Sequence, residues 1–217
     1  MLRGVMPDAQ GLYHSTNSIG FDELENRYQI CIKNYAMPTF TVKQGWAWMQ
    51  KNMEASGAKP DLVILEFGGN DCDYRWGEMR DSCHRLTEIH RTPIDEFVKV
   101  YTDMTEYLAD RGIETAVTLC PQFPVGVYLK HLIASGIPEQ VIKTYIETPD
   151  MVIRDYKAYK SEIVKLAEKK RLSVINIEKT FAFLTDLEDY YSADGLHPNE
   201  KGYRLIHDTF ACFFDAL

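Results

Sequence analysis

Positive charge is scarce in this chain. Its 217 residues carry 24 Lys and Arg against 32 Asp and Glu, a formal net charge of −8. Binding to a phosphate backbone draws on clustered Lys and Arg, so this balance argues against a nucleic-acid partner. The densest basic cluster, Lys169-Lys170-Arg171, closes an expected helix, where cations complement the helix dipole. Cysteine is sparse and unpatterned. Cys31, Cys72, Cys83, Cys120 and Cys212 are odd in number, and no Cys-x-x-Cys pair occurs. Neither a disulfide framework nor a zinc knuckle follows, and a reducing cytoplasm is the expected compartment. No apolar run approaches the roughly 18 residues of a membrane span. The segment Met1–Asp8 has no apolar core and does not read as a signal peptide. No Gly/Ser-rich or Pro-rich linker and no internal repeat divides the chain, so residues 1–217 read as a single domain.

Short apolar runs alternate with helical patterns. The strand candidates are Ile32–Tyr35, Leu62–Phe67, Thr115–Leu119 and Leu172–Ile177. The last three are rich in Val, Ile and Leu, as strands covered on both faces are. Helical segments are expected at Phe21–Ile30, Val42–Met53, Pro93–Asp110, Met151–Lys170 and Asn199–Phe214. In the third, Phe97, Tyr101, Met104 and Leu108 share one face, with Thr92 as an N-cap candidate. Such alternation argues for a doubly wound α/β architecture. Two longer stretches, Gly68–Arg91 and Cys120–Asp150, start where strands end, the usual place for a pocket or its lid. Trp46, Trp48, Tyr74 and Trp76 read as packing residues before they read as a stacking surface.

Two motifs carry chemistry. Asp194-Gly195-Leu196-His197-Pro198-Asn199 places a carboxylate three residues before a histidine, at the mouth of the last helix. A general base needs one ring nitrogen held by a carboxylate, and a D-x-x-H turn supplies that contact locally. Taken alone, it also reads as a capping turn with an incidental histidine. Gly68-Gly69-Asn70-Asp71 follows the run Leu62–Phe67 and puts a side-chain amide at a strand's C-terminal end, where open α/β sheets bind ligands. Taken alone, it is ordinary turn chemistry.

In order and spacing the two together resemble the SGNH/GDSL hydrolase superfamily, over nearly the whole chain. The resemblance rests on Glu66–Asp73, on Asp194–Asn199 and on Gly202. It implies a flavodoxin-like three-layer α/β/α sandwich with a mostly parallel sheet. It also implies a hydrolase acting on small-molecule esters of acyl groups, lipids or sugars, without cofactor or metal. His197 is then the general base, Asp194 its orienter and Asn70 an oxyanion donor, with Gly69 and Asp71 at the pocket.

Two departures from the family pattern follow. The family's nucleophile block is a strand ending in Gly-Asp-Ser. Met1-Leu2-Arg3-Gly4-Val5 looks like the stretch after that serine, so the serine is expected just upstream of Met1 and the first strand is expected to be absent. The chain as written is then expected to be inactive. The second block normally supplies a glycine N–H. Thr39 stands closest to that position, and threonine resists the positive φ that glycine permits. No other residue replaces the nucleophile convincingly. Ser15 and Ser18 follow no apolar strand, and Ser18 suits an N-cap. Ser192 sits on no strand-end elbow, and Cys72 suits a pocket or core position. Asp71, Asp73, His84 and His90 match no common metal-ligand spacing. The alternative function is an inactive relative that keeps the pocket and binds an acyl or glycan ligand.

Overall fold

The helical periodicities seen in the sequence become real faces in the three-dimensional structure, a computed structural model that describes residues 1–7, 12–57, 59–82 and 84–217. Cys83 lies outside the described residues. In chain order the elements are β1 (Val5–Pro7), β2 (Tyr13–Ser15), α1 (Phe21–Tyr28), α2 (Val42–Ser56), β3 (Leu62–Leu65), α3 (Gly69–Cys72), α4 (Trp76–Asp81) and α5 (Ile94–Ala109). They continue with β4 (Glu114–Leu119), α6 (Val125–Ala134), α7 (Glu139–Tyr145), α8 (Pro149–Lys170), β5 (Ser173–Asn176), α9 (Ile177–Phe181), a 3₁₀ turn (Leu187–Tyr190) and α10 (Glu200–Phe214). The fold is mixed α/β. One sheet takes the order β3-β4-β5, and β3 runs parallel to β4 with Leu62 opposite Glu114 and Leu65 opposite Val117. A second sheet is the antiparallel pair β1-β2. Among the described residues no helix is long and apolar enough to cross a membrane.

The chain contacts define two compact units. One comprises Met1–Pro38, Leu119–Ser135 and Ile175–Leu217; the other comprises Thr39–Thr118 and Gly136–Val174. In the second unit, α5 packs against α2 and α8. Phe97, Tyr101, Met104 and Leu108 are all but fully buried, as their shared face requires. The Phe97 ring lies 5.2 Å from that of Tyr159 on α8. Tyr74 and Trp76 are buried and serve the core, and half-buried Trp46 packs edge-on against Tyr107. In the first unit, α10 packs against α1 and α9 and buries Tyr203, Ile206 and Phe210.

Several local expectations are corrected. Ile32–Tyr35 forms no strand. Its polar groups are taken locally or by side chains: the Ile32 N–H donates to Glu25, and Asn34 bonds the Leu2 carbonyl and the Ala36 N–H. An N–H taken by a side chain, as that of Ile32 is, is lost to a ladder. Residues 5–7 and 13–15 pair instead, two strands too short to show periodicity. Ser18 does not cap α1. Gly20 holds that position, and the Ser18 hydroxyl lies 2.6 Å from that of Thr16. Thr92 does not cap α5 either; Pro93 is the N-cap, and the Thr92 N–H donates to the Asp71 carbonyl.

Candidate active site

The Asp194–His197 turn lies in the first unit and is built mainly from its own backbone. Gly195 adopts φ 66°, the left-handed region that glycine enters at little cost. A side chain there would also meet the Tyr128 backbone nitrogen at 2.6 Å and the Val127 Cβ at 2.8 Å, so α6 sits directly on the turn. The turn is closed by the Ser192 N–H donating to the His197 carbonyl at 2.7 Å and by a bridge between Tyr191 and Pro198. Asn199 then caps α10 by accepting the Gly202 N–H, which fixes where the helix starts after His197.

Both oxygens of Asp194 are doubly occupied. Oδ1 accepts the backbone N–H groups of Leu196 at 2.9 Å and His197 at 3.0 Å. Oδ2 lies 2.7 Å from His197 Nδ1 and accepts the Tyr13 hydroxyl at 3.0 Å. Asp194 is only 2% exposed. Burial alone would raise its carboxyl, but the His197 side chain and the two backbone N–H groups outweigh it and bring it down to about 2. The group is therefore an acceptor-only carboxylate at neutral pH, which requires the proton of the short contact to sit on His197 Nδ1. In the neutral imidazole Nε2 then carries the lone pair, the arrangement a general base needs. Among the described residues no hydroxyl or thiol is bonded to Nε2.

The amide side of the chemistry lies in the second unit. Gly68, at φ 108°, turns the chain sharply after β3 into the short helix that carries Asn70. Asp71 is fully buried and accepts the N–H groups of Val42 at 2.9 Å and Gly68 at 3.1 Å, tying the start of α2 to this turn. Burial raises its carboxyl, opposed by those two bonds. Gly69 is exposed beside it. Asn70 Nδ2 donates one hydrogen to the Phe40 carbonyl at 3.1 Å, which leaves the amide a second. Thr39 stands at φ 65°. A β-branched residue thus occupies the backbone conformation that favours glycine, at the position where the resemblance places one. Arg91 bridges the two residues, its Nη2 donating to the Thr39 carbonyl at 2.8 Å and its Nη1 lying 3.5 Å from Asn70 Oδ1.

The structure thus joins Asp194 to His197, and Thr39 to Asn70 through Arg91. The alternative nucleophiles go elsewhere. Ser192 Oγ donates to the Pro198 carbonyl. Ser15 is exposed in β2. Cys72 is buried with its thiol on the Gly69 carbonyl, and burial pushes that thiol well up. His90 faces Asp155 and Glu88 between the rings of Tyr74 and Tyr159. Among the described residues no group of three or more metal-binding side chains forms. Tyr13 and Arg91 escape a sequence reading because neither sits in a motif; each is brought in by a contact across many residues.

A family model described as the GDSL-like Lipase/Acylhydrolase family matches residues 13–205. Among solved structures, the chain is similar to the lipase/acylhydrolase from Enterococcus faecalis, with 16% identity and TM-score 0.63 over 93% of this chain and 87% of that one. It is similar to the psychrotrophic esterase EstA from Pseudoalteromonas sp., with 18% identity and TM-score 0.60 over 97% and 94%. It is also similar to a G-D-S-L family lipolytic protein from Desulfitobacterium hafniense, with 15% identity and TM-score 0.61 over 91% and 89%. At these identities the likeness is one of fold. None of the curated proteins matches the sequence.

Proposed function

The chain belongs to the GDSL-like lipase/acylhydrolase family, a family of ester hydrolases, and from that premise we propose a serine mechanism in which His197 is the general base and Asp194 its orienter. The observation that carries this reading is the 2.7 Å contact between a buried, ionised Asp194 and His197 Nδ1. In the proposed reaction a serine hydroxyl attacks the ester carbonyl carbon and its proton passes to His197 Nε2. The negative charge that develops on the carbonyl oxygen is met by the Asn70 amide N–H, with the Thr39 N–H as a second donor. Collapse of the tetrahedral intermediate breaks the C–O bond, and the leaving alcohol takes the proton from Nε2. Water then repeats the sequence on the acyl-enzyme. Asp194 stays ionised throughout. The serine is proposed to be that of the family's Gly-Asp-Ser block, with Met1-Leu2-Arg3-Gly4-Val5 resembling the stretch that follows it. The substrate class is a small-molecule ester. A reducing cytoplasm belongs to the same proposal and rests on the scattered cysteines.

The test is hydrolysis of p-nitrophenyl acetate by the 217-residue chain and by the same chain extended with a short apolar strand ending in Gly-Asp-Ser. The extended chain is expected to turn over and the 217-residue chain to be nearly silent. In the extended chain His197→Ala should abolish turnover, and Asn70→Ala should lower kcat by about 10²–10³-fold, the loss for one oxyanion donor. Turnover that survives His197→Ala would remove the site. An extended chain that stays inert yet binds an acyl or glycan ligand would identify a non-catalytic relative instead.

A further inference from the structure

We propose that Tyr13 is a positioning residue of the Asp194–His197 pair, holding the imidazole in the Nδ1–H tautomer with Nε2 free to take a proton. The inference rests on the reading of that pair as the catalytic base. Three observations carry it. First, the Tyr13 hydroxyl donates to Asp194 Oδ2 at 3.0 Å, the same oxygen that lies 2.7 Å from His197 Nδ1. With Oδ1 taken by two backbone N–H groups, the carboxylate has all four of its lone-pair sites filled, and rotating it would break several bonds at once. Second, the Tyr13 ring lies 5.2 Å from the His197 ring at 55°. That contact opposes the ring flip that would turn Nδ1 away from the carboxylate. Third, Tyr13 is anchored. It pairs with Pro7 across β1-β2, and in β1 the Val5 carbonyl accepts the hydroxyl of Tyr203, on the helix that His197 precedes.

A tyrosine placed only for packing would be buried, yet Tyr13 is 49% exposed while its hydroxyl turns to a carboxylate. That hydroxyl keeps its proton. Burial first, then the Asp194 charge and hydrogen bond, push it up to about 12. His131 of α6 faces the same hydroxyl, with Nε2 at 3.5 Å from it and 3.3 Å from Ser135 Oγ. Because the single Tyr13 proton goes to Asp194, His131 can only donate to that oxygen. His131 then donates to Tyr13, and Tyr13 and His197 both donate to Asp194, where the hydrogen bonds converge.

The experiment is NMR of the 217-residue chain labelled with ¹⁵N-histidine, which needs no turnover. The wild type should show a low-field Nδ1–H proton from His197, assigned by its loss in Asp194→Asn. Tyr13→Phe removes only the hydroxyl. It opens one lone-pair site on Oδ2 and lets the carboxylate turn, so the Nδ1–H proton should move upfield. Tyr13→Leu removes the ring as well, and the ¹⁵N shifts should then report a mixture of tautomers. If Tyr13→Leu does not fold, Tyr13→Phe decides alone. A proton and ¹⁵N shifts unchanged from wild type in Tyr13→Phe would overturn the inference. Loss of the underlying reading has a separate signature, ester turnover that survives His197→Ala.

Discussion

At the scale of single residues, the energetics of the site turn on Asp194. Its folded-state carboxyl is depressed to about 2, against about 3.9 for an ordinary aspartate. A depressed carboxyl contributes stability that is fully present above the unfolded value and is lost as the pH falls through the folded one. The window here runs from about pH 5 down to about pH 2, and the contribution is about 2 kcal/mol. Urea unfolding of wild type and Asp194→Asn across that range should show the variant weaker by roughly this amount at pH 7, with the gap closing towards pH 2. A gap that stays constant with pH would show that the carboxylate charge is not what stabilises the turn. Thr39 presents a contrasting case. Its residue type disfavours φ 65°, yet the Arg91 guanidinium on its carbonyl holds the turn there. Strain held by surrounding contacts often marks a functional position.

At the scale of elements, the D-x-x-H turn depends on the first turn of α6 as much as on its own residues. Gly195 needs both its left-handed φ and the absence of a Cβ, because Tyr128 and Val127 fill the space. Gly195→Ala should therefore cost about 2–5 kcal/mol, the sum of a left-handed alanine and an overpacked contact. It should lower the urea midpoint with little change in slope. A midpoint equal to wild type would mean that α6 yields easily and does not brace the turn. The helices were legible before the structure because each buries one face. Phe97, Tyr101, Met104 and Leu108 on α5, and Tyr203, Ile206 and Phe210 on α10, follow the helical period and are buried as that period requires. Ile32–Tyr35 forms no strand because four residues with only Ile32 and Tyr35 apolar carry no period, and the Glu25 side chain takes the Ile32 N–H.

At the scale of the whole molecule, charge and sheet edges govern association. The net charge is −8 at pH 7 and the isoelectric point is about 5.3. The order β3-β4-β5 leaves β3 an edge strand rich in Leu, Val and Ile, the kind of edge that pairs with other chains once repulsion fades. Light scattering should therefore pass through a maximum near pH 5.3 and fall again on either side. Scattering that shows no maximum there would leave charge repulsion without a role in keeping the chain dispersed.

By itself the sequence determined what neighbouring residues decide. The Asp194–His197 contact spans three residues and closes within the motif, with α6 bracing Gly195. The same holds for the turn after β3, where Gly68 and Asp71 bond each other locally. Amphipathic periods specified the long helices for the same reason. Only the tertiary structure decided the contacts that link distant parts of the chain. Tyr13 reaches Asp194 across 181 residues, and Arg91 reaches Thr39 across 52. Neither partner carries a local mark of the other, because closing such a loop is driven by the burial of many other side chains. The left-handed Thr39 was hidden for the same reason: local preference opposes it, and what holds it is a guanidinium delivered from elsewhere in its unit.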